Sequence, residues 1–231
     1  MLETQAQDFA AQRARMVAEV EAMYAETRAE TGVGAMSPAV RNALGKVERH
    51  RLVPPEQRAG AYRNHPLPIG SGQTISQPYI VAISADLLQP GPDHVVLDVG
   101  TGSGYQAAVL AEVVKHVYSI ELIESLGRTA AERLAEMGYR NIEVKIGDGY
   151  AGWPEKAPFD GIVVTAAAPS VPPALIAQLK PGGRMVIPLG NGYMQHLKLV
   201  TKRADGGYDE RTVLPVRFVP LVPQSAPKSG G

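Results

Sequence analysis

Three glycines in one short turn are the residues whose type and spacing could most directly bind a ligand. Gly100, Gly102 and Gly104 follow the apolar run at residues 95–99. Glycine can adopt positive φ angles and lets a ligand approach the backbone closely. Residues 106–115, directly after the turn, have a helical pattern. A strand, a glycine-rich turn and a helix in this order predict a nucleotide-binding corner.

Three carboxylates fall at or near the carboxyl ends of predicted strands, where open α/β sheets bind ligands. Asp98 lies inside the first apolar run, Glu121 ends the next strand, and Asp148 lies between two glycines after the third. Asp98 could hold the N–H groups of the glycine turn or face a cationic group. Glu121 could accept both hydroxyls of a ribose, and Asp148 could accept a hydrogen bond from an exocyclic amine. Taken singly, Glu121 could also be a solvated strand end and Asp148 a turn residue.

The glycine spacing bears on which nucleotide would bind. A dinucleotide fold carries Gly-x-Gly-x-x-Gly. Counted from Gly100 the last position is Tyr105, and counted from Gly102 it is Ala107, a permitted variant. A dinucleotide and a purely structural turn therefore both stay open. The absence of a P-loop lysine, together with acids suited to ribose and adenine, favours S-adenosylmethionine, with its amino-acid part against the glycine turn.

The elements that must position these residues alternate along the chain. Strands are predicted at residues 95–99, 117–121, 142–146, 159–165 and 184–189, and helices at 79–88, 106–115, 125–137 and 172–179. This alternation implies an α/β fold with a doubly wound, mostly parallel Rossmann-like sheet. Strands at 196–202 and 211–219, separated by 204–207, predict an antiparallel hairpin at the carboxyl-terminal edge.

The N-terminal part lacks this alternation of strands and helices. Residues 2–31 predict one helix with an apolar face, and Ser37-Pro38 predicts the N-cap of a second helix that ends near residue 47. Residues 58–73 are rich in proline and glycine and are predicted to be a loop. Residues 223–231 are polar, and we expect them to be disordered.

Composition excludes several classes of protein. The 231 residues carry 23 Lys plus Arg and 23 Asp plus Glu, so the net charge is zero and no basic excess points to nucleic acid. There is no cysteine, which excludes disulfides, thiolate metal sites and cysteine nucleophiles, and we expect no metal. No apolar run could span a bilayer, and the first fifteen residues lack a signal-peptide core. We expect a cytoplasmic protein without a membrane partner, and a monomer rather than a dimer.

Several segments resemble known proteins. VLDVGTGSGY at 96–105, SIEL at 119–122 and GDG at 147–149 resemble the ordered motifs of class I S-adenosylmethionine-dependent methyltransferases. GSGQTISQPY at 70–79, TAAAP at 165–169, LIAQLKPGGR at 175–184 and VRFVPL at 216–221 resemble the protein-L-isoaspartate O-methyltransferase family. The resemblance covers residues 40–222, although residues 49–55 depart from the usual family pattern.

The resemblance implies methyl transfer from S-adenosylmethionine to the α-carboxylate of L-isoaspartyl residues in damaged proteins, with S-adenosylhomocysteine as the product. It also implies an N-terminal region (1–73) of helices and a substrate-side loop, and a methyltransferase domain (74–222). Ser76 would be the catalytic residue. The cofactor-binding residues would be Asp98, Gly100, Thr101, Gly102, Ser103, Glu121, Leu122, Asp148 and Gly149. The substrate-binding residues would be Gln73, Thr74, Ile75, Ser76, Ala166, Ala167 and Pro169.

The implied chemistry needs no general base. A carboxylate with an ordinary pKa of about 4 is already ionised at neutral pH, and the five histidines of this chain are scattered. Ser76 could donate one hydrogen bond that orients the acceptor, or it could instead cap the helix that begins near Pro78. Other functions also stay open: methylation of a small molecule or RNA, a non-catalytic binding module, and a nicotinamide dehydrogenase.

Overall fold

The computed structural model describes residues 2–192 and 194–224, with side chains from residue 9 onward. Most of the predicted disordered tail lies outside the described residues. The helices are α1 (Leu2–Glu26), α2 (Arg28–Thr31), α3 (Pro38–Lys46), α4 (Pro78–Leu87), α5 (Tyr105–Ala111), α6 (Glu124–Glu136) and α7 (Pro173–Gln178). The strands are β1 (Leu67–Gly70), β2 (Gln73–Ile75), β3 (Val95–Val99), β4 (His116–Glu121), β5 (Ile142–Ile146), β6 (Phe159–Val164), β7 (Leu179–Asn191), β8 (Met194–Lys202) and β9 (Tyr208–Val216). Short 3-10 turns lie at Arg49–Arg51, Pro55–Gly60 and Pro154–Lys156.

A seven-stranded sheet with the order β5-β4-β3-β6-β7-β8-β9 forms the centre of the molecule. Strands β5, β4, β3, β6 and β7 are parallel, and β8 runs antiparallel to both of its neighbours, β7 and β9. Helices pack on both faces. The predicted α/β fold, doubly wound and mostly parallel with an antiparallel carboxyl-terminal edge, is confirmed.

The register of the parallel strands brings the predicted ligand-binding residues to one edge. Val99 pairs with Ile120, and Glu121 pairs with Ile146. The residues that follow β3, β4 and β5 therefore lie side by side at the carboxyl end of the sheet, where ligands bind in such folds.

The core lies on both faces of the sheet because successive side chains of a strand point to opposite faces. Val96 packs in one cluster with α4, α5 and the N-terminal helices, which contribute Met16, Val20 and Tyr24. Leu97 packs in the other cluster, with α7 and Trp153. The first cluster crosses the predicted boundary at residue 73, and that boundary falls inside β2.

The predicted N-terminal elements need two corrections. The single helix expected over residues 2–31 is interrupted at Thr27, whose backbone leaves helical geometry and whose hydroxyl donates to the carbonyl of Met23 at 2.8 Å. The loop expected over residues 58–73 contains β1, which pairs antiparallel with β2. Positive φ angles at Gly70, Ser71 and Gly72 close this hairpin, and its prolines concealed the strand. The N-cap at Ser37 is confirmed, since its Oγ accepts from Val40 N at 3.2 Å.

Three further element boundaries differ from the predictions. The strand expected over residues 184–189 is the longer β7, which begins at Leu179, and an irregularity opposite β6 absorbs the extra residues. The strand expected to reach residue 219 ends at Val216. The helix expected over 106–115 ends at Ala111, because the chain turns there to enter β4. None of the helices in the described ranges has the length and apolar character of a bilayer-spanning segment.

Candidate active site

A cleft of about 860 Å³, open solvent included, lies at the carboxyl edge of the sheet. Its size suits a small-molecule ligand. Its walls come from β2 and the loop after it, the glycine turn, the ends of β4, β5 and β6, and a segment after β9. The lining residues are Gln73, Thr74, Ile75, Ser76, Val81, Val99, Gly100, Thr101, Gly102, Ser103, Tyr105, Gln106, Ile120, Glu121, Leu122, Ile123, Gly149, Thr165, Ala166, Val219, Pro220, Leu221 and Val222.

The glycine turn is tied to the end of β4. Gly100, Gly102 and Gly104 all have positive φ angles, of 100°, 51° and 86°. The backbone N–H groups of Gly100 and Thr101 both donate to the carbonyl of Ile120, at 2.8 and 3.0 Å. A Cβ atom at Gly100 would collide with Oγ1 of Thr165. The turn therefore has one fixed shape that only glycine allows at this position.

Among the described residues that line the cleft, Glu121 is the one with a charged side chain. Its Oε2 accepts from Gly102 N at 2.7 Å, and its Oε1 accepts from Ile123 N at 2.9 Å. An ionised carboxylate has about four acceptor positions, so both oxygens keep the capacity to accept ribose hydroxyls. Ribose binding by Glu121 stays a prediction.

Asp98 lies beneath the cleft and does not line it. Its Oδ2 accepts from Ser119 Oγ at 2.7 Å, and Ser119 Oγ lies 2.6 Å from Oγ1 of Thr101. Of the described atoms, none bonds its buried Oδ1. Burial raises the pKa of Asp98 to about 7, although the hydrogen bond from Ser119 opposes the rise. Of the two possibilities for Asp98, that of holding the glycine N–H groups is wrong: Glu121 bonds Gly102, and Asp98 supports Thr101 through Ser119.

Asp148 lies beside the cleft, next to the lining residue Gly149. Its Oδ1 accepts from Tyr150 N at 2.8 Å, and its Oδ2 accepts from Gln224 N at 3.1 Å. A Cβ atom at Gly149 would lie 2.7 Å from Val99, so the backbone here packs closely. Leu122 lines the same cleft.

The predicted substrate side is formed by Gln73, Thr74, Ile75 and Ser76, all of which line the cleft. Helix α4 begins at Pro78, and Gln77 is the residue that precedes it, without a side-chain capping bond. Ser76 lies one residue further upstream, so the alternative in which it caps this helix is wrong.

The other three predicted substrate residues do not all line the cleft. Ala166 lines the cleft, whereas Ala167 and Pro169 do not. Ala167 instead bonds the segment 219–222, which we name the C-terminal strap: its N–H donates to Val219 O at 2.8 Å, and its carbonyl accepts from Leu221 N at 2.7 Å. Pro169 is exposed.

Sequence reasoning missed several of the lining residues. The C-terminal strap has neither strand nor helix periodicity, and its signals in the sequence are its apolar character and the resemblance of residues 216–221 to the family. The lining residues outside the predicted sites are Val81, Val99, Tyr105, Gln106, Ile120, Ile123, Thr165, Val219, Pro220, Leu221 and Val222. Within the described part of the chain, no lysine, arginine or histidine lines the cleft. The site offers hydroxyls, amides and one carboxylate, which can bind and orient ligands without acid–base catalysis.

Comparison with known proteins gives consistent matches. The family model described as protein-L-isoaspartate(D-aspartate) O-methyltransferase matches residues 19–226. A protein-L-isoaspartate O-methyltransferase 2 of Syntrophobacter fumaroxidans is 58% identical over 214 residues, which cover 92% of this chain and 87% of that protein. A protein of the same name from a Polaromonas species is 57% identical over 210 residues, covering 90% of this chain and 100% of that protein.

Two solved structures with the same family description also superimpose on this chain. A protein-L-isoaspartate O-methyltransferase superimposes with a TM-score of 0.80 at 25% identity, covering 92% of this chain and 66% of that longer chain. A Plasmodium falciparum protein, described as a protein-L-isoaspartate O-methyltransferase in complex with S-adenosyl-L-homocysteine, gives a TM-score of 0.70 at 25% identity, covering 87% of this chain and 98% of that one. The chain belongs to the protein-L-isoaspartate(D-aspartate) O-methyltransferase family.

Proposed function

We propose that this protein is a repair methyltransferase, which methylates the α-carboxylate of L-isoaspartyl residues in damaged proteins with S-adenosylmethionine. The observation that carries the proposal is the placement of Gln73, Thr74, Ile75 and Ser76 in the same cleft as Glu121 and the glycine turn. The segment whose sequence resembles the acceptor side of the family therefore faces the residues suited to a nucleoside.

The residues of the cleft divide between cofactor and acceptor. Glu121 would accept the ribose hydroxyls, and Asp148 with Gly149 and Leu122 would hold the adenine. Gly100, Thr101, Gly102 and Ser103 would contact the amino-acid part, with Asp98 supporting Thr101 from below. The sulfonium of S-adenosylmethionine supplies an electrophilic methyl group. Thr74, Ile75, Ser76 and Ala166 would orient the acceptor carboxylate.

Methyl transfer to a carboxylate requires the protein to align the acceptor with the methyl group, and it requires no proton transfer. The acceptor carboxylate is ionised at neutral pH, so it can displace the sulfide without a base. A hydroxyl such as that of Ser76 can hold the nucleophile in line with the methyl group, while the apolar strap excludes water. The lack of histidine and lysine in the described cleft wall is consistent with a reaction that needs no general base.

Incubation with methyl-labelled S-adenosylmethionine tests the proposal. Two peptides of identical sequence, one with L-isoaspartate and the other with L-aspartate at a single position, serve as substrate and matched control. We expect label in the isoaspartyl peptide alone, released by mild base as expected for a methyl ester. Equal labelling of the two peptides, or no labelling of either, would contradict the proposal.

The division of the chain at residue 73, a monomeric state, a cytoplasmic location and the absence of a nucleic-acid partner stay predictions. Light scattering on purified protein tests the oligomeric state.

A further inference from the structure

Gln106 places an unused donor at the wall of the cleft. It lies in the first turn of α5, is 6% exposed and lines the cleft. Its Nε2 is buried without a hydrogen-bond partner among the described atoms. A buried donor left unsatisfied costs about 1–3 kcal/mol, so this amide is suited to a bond that forms when a ligand is present.

The backbone of the glycine turn has few donors left for such a ligand. A turn that opens a helix commonly binds anions through its N–H groups. Here Gly100 and Thr101 donate to Ile120 O, Gly102 donates to Glu121, and Gly104 donates to Thr101 O. The N–H of Tyr105 donates to Ser103 Oγ at 3.2 Å. Within the described turn, Ser103 is left with a backbone N–H that has no described partner, so an anionic ligand group at this end of the cleft has few backbone donors and favours an additional side-chain donor.

A buried positive charge lies behind this end of the cleft. Arg49 is fully buried, and its guanidinium carbon lies 4.5 Å from the ring centroid of Tyr105, a lining residue. Its Nε donates to Ala61 O at 2.8 Å, and no described carboxylate forms an ion pair with it. Burial lowers its pKa to about 10, which still leaves it cationic at neutral pH. This uncompensated charge favours an anion near Tyr105 and Gln106.

We propose that Nε2 of Gln106 donates a hydrogen bond to a ligand carboxylate in the cleft. The inference rests on the proposed function, which brings two carboxylates to this site. The α-carboxylate of the cofactor's methionine part is the favoured source, because Gln106 follows the glycine turn directly. The isoaspartyl carboxylate is the other source, and the experiment separates the two.

Titration calorimetry on Gln106→Met and the unchanged protein tests the proposal with two probes. S-adenosylhomocysteine carries the carboxylate, and 5′-methylthioadenosine lacks the whole amino-acid part while keeping the nucleoside. We expect the variant to bind S-adenosylhomocysteine about ten to a hundred times more weakly, as for loss of a hydrogen bond to a charged group. Its affinity for 5′-methylthioadenosine should not change.

The remaining outcomes are equally decisive. Unchanged S-adenosylhomocysteine affinity with a raised KM for the isoaspartyl peptide supports the proposal and assigns the carboxylate to the acceptor. An equal loss for both nucleosides, or no loss for any ligand, overturns it.

Gln106→Glu provides a second variant if the first unfolds in a thermal melt. It keeps the side-chain shape but adds a negative charge, so S-adenosylhomocysteine binding should fall further than 5′-methylthioadenosine binding. Equal effects on both probes would again overturn the proposal. Failure of the unchanged protein to bind S-adenosylhomocysteine would instead contradict the proposed function itself, and this inference with it.

Discussion

Ser37 and Ser76 both precede a proline that begins a helix, but only Ser37 is adjacent to that proline and caps the helix. Ser76 lies two residues before Pro78, and it lines the cleft instead. At the scale of single residues, one position in the sequence separates a structural serine from a candidate catalytic one.

The two serines give a matched pair of variants. We expect Ser76→Ala to lower kcat/KM for an isoaspartyl peptide about ten- to a hundredfold, because one hydrogen bond to a charged acceptor is lost. Its S-adenosylhomocysteine affinity and unfolding midpoint should change little. Ser37→Ala should lose about 1 kcal/mol of the free energy of unfolding and keep its kcat/KM. The reverse pattern in kinetics and denaturant titration would assign Ser76 a structural function.

Asp98 predicts how stability depends on pH. Its pKa is raised by burial to about 7 in the folded protein, above its value in the unfolded chain. Between these two values the folded state holds a proton that the unfolded state has lost, so stability falls as pH rises, by up to about 1.4 kcal/mol per pH unit. Urea unfolding from pH 4 to pH 7 should show this slope in the unchanged protein. In Asp98→Asn the slope should be smaller by that amount, and parallel curves would show that Asp98 does not titrate as inferred.

At the scale of elements, the C-terminal strap is held by side chains that are distant in sequence. The buried side-chain amide of Gln195, on β8, forms two hydrogen bonds with the backbone of Phe218. Its Nε2 donates to Phe218 O at 3.1 Å, and its Oε1 accepts from Phe218 N at 2.7 Å. With the two bonds from Ala167, this fixes the chain just before and within the strap. The strap in turn forms one wall of the cleft.

Replacing Gln195 should therefore loosen that wall. We expect Gln195→Ala to lose about 1–3 kcal/mol of stability and to raise the KM for cofactor or peptide several-fold. Asn141→Ala is the control, because Asn141 Nδ2 donates to Ala111 O at 2.8 Å at the end of α5, at the opposite end of the sheet from the strap. A comparable loss of stability with unchanged KM is expected there. Steady-state kinetics showing equal KM values for the two variants would contradict a positioning function for Gln195.

The contrast between local signals and contacts across the sheet explains which features the sequence could predict. The glycine turn and Glu121 were found because short motifs and strand ends are local signals. The partner of Asp98 was not, because Ser119 reaches it only through the pairing of β3 with β4. The position of the strap beside the cleft was not predicted, because it depends on bonds to the distant residues Gln195 and Ala167. Strand β7 is predicted to begin too late because the run Pro181-Gly182-Gly183 is typical of a turn, whereas here an irregularity in the pairing with β6 accommodates it within the strand.

At the scale of the whole molecule, the N-terminal helices are bonded to both the helical layer and the sheet. Tyr24 Oη donates to Asp86 Oδ2 on α4 at 2.6 Å, and the same oxygen accepts from Ser37 N at 3.2 Å. Arg211, on β9, donates to Thr31 O at 2.9 Å. Since Tyr24 also packs in the cluster that contains Val96 of β3, we expect residues on both sides of the proposed boundary at 73 to unfold together.

Tyr24→Phe tests this expectation because the chain carries a single tryptophan far from the change. Trp153 packs in the cluster on the opposite face of the sheet from Tyr24. Loss of the bond to Asp86 should cost about 1–3 kcal/mol. If folding is cooperative across the boundary, the urea midpoints from Trp153 fluorescence and from far-ultraviolet circular dichroism fall by the same amount. A fall in the circular dichroism midpoint alone, with the fluorescence midpoint unchanged, would show instead that the N-terminal helices unfold as a separate unit.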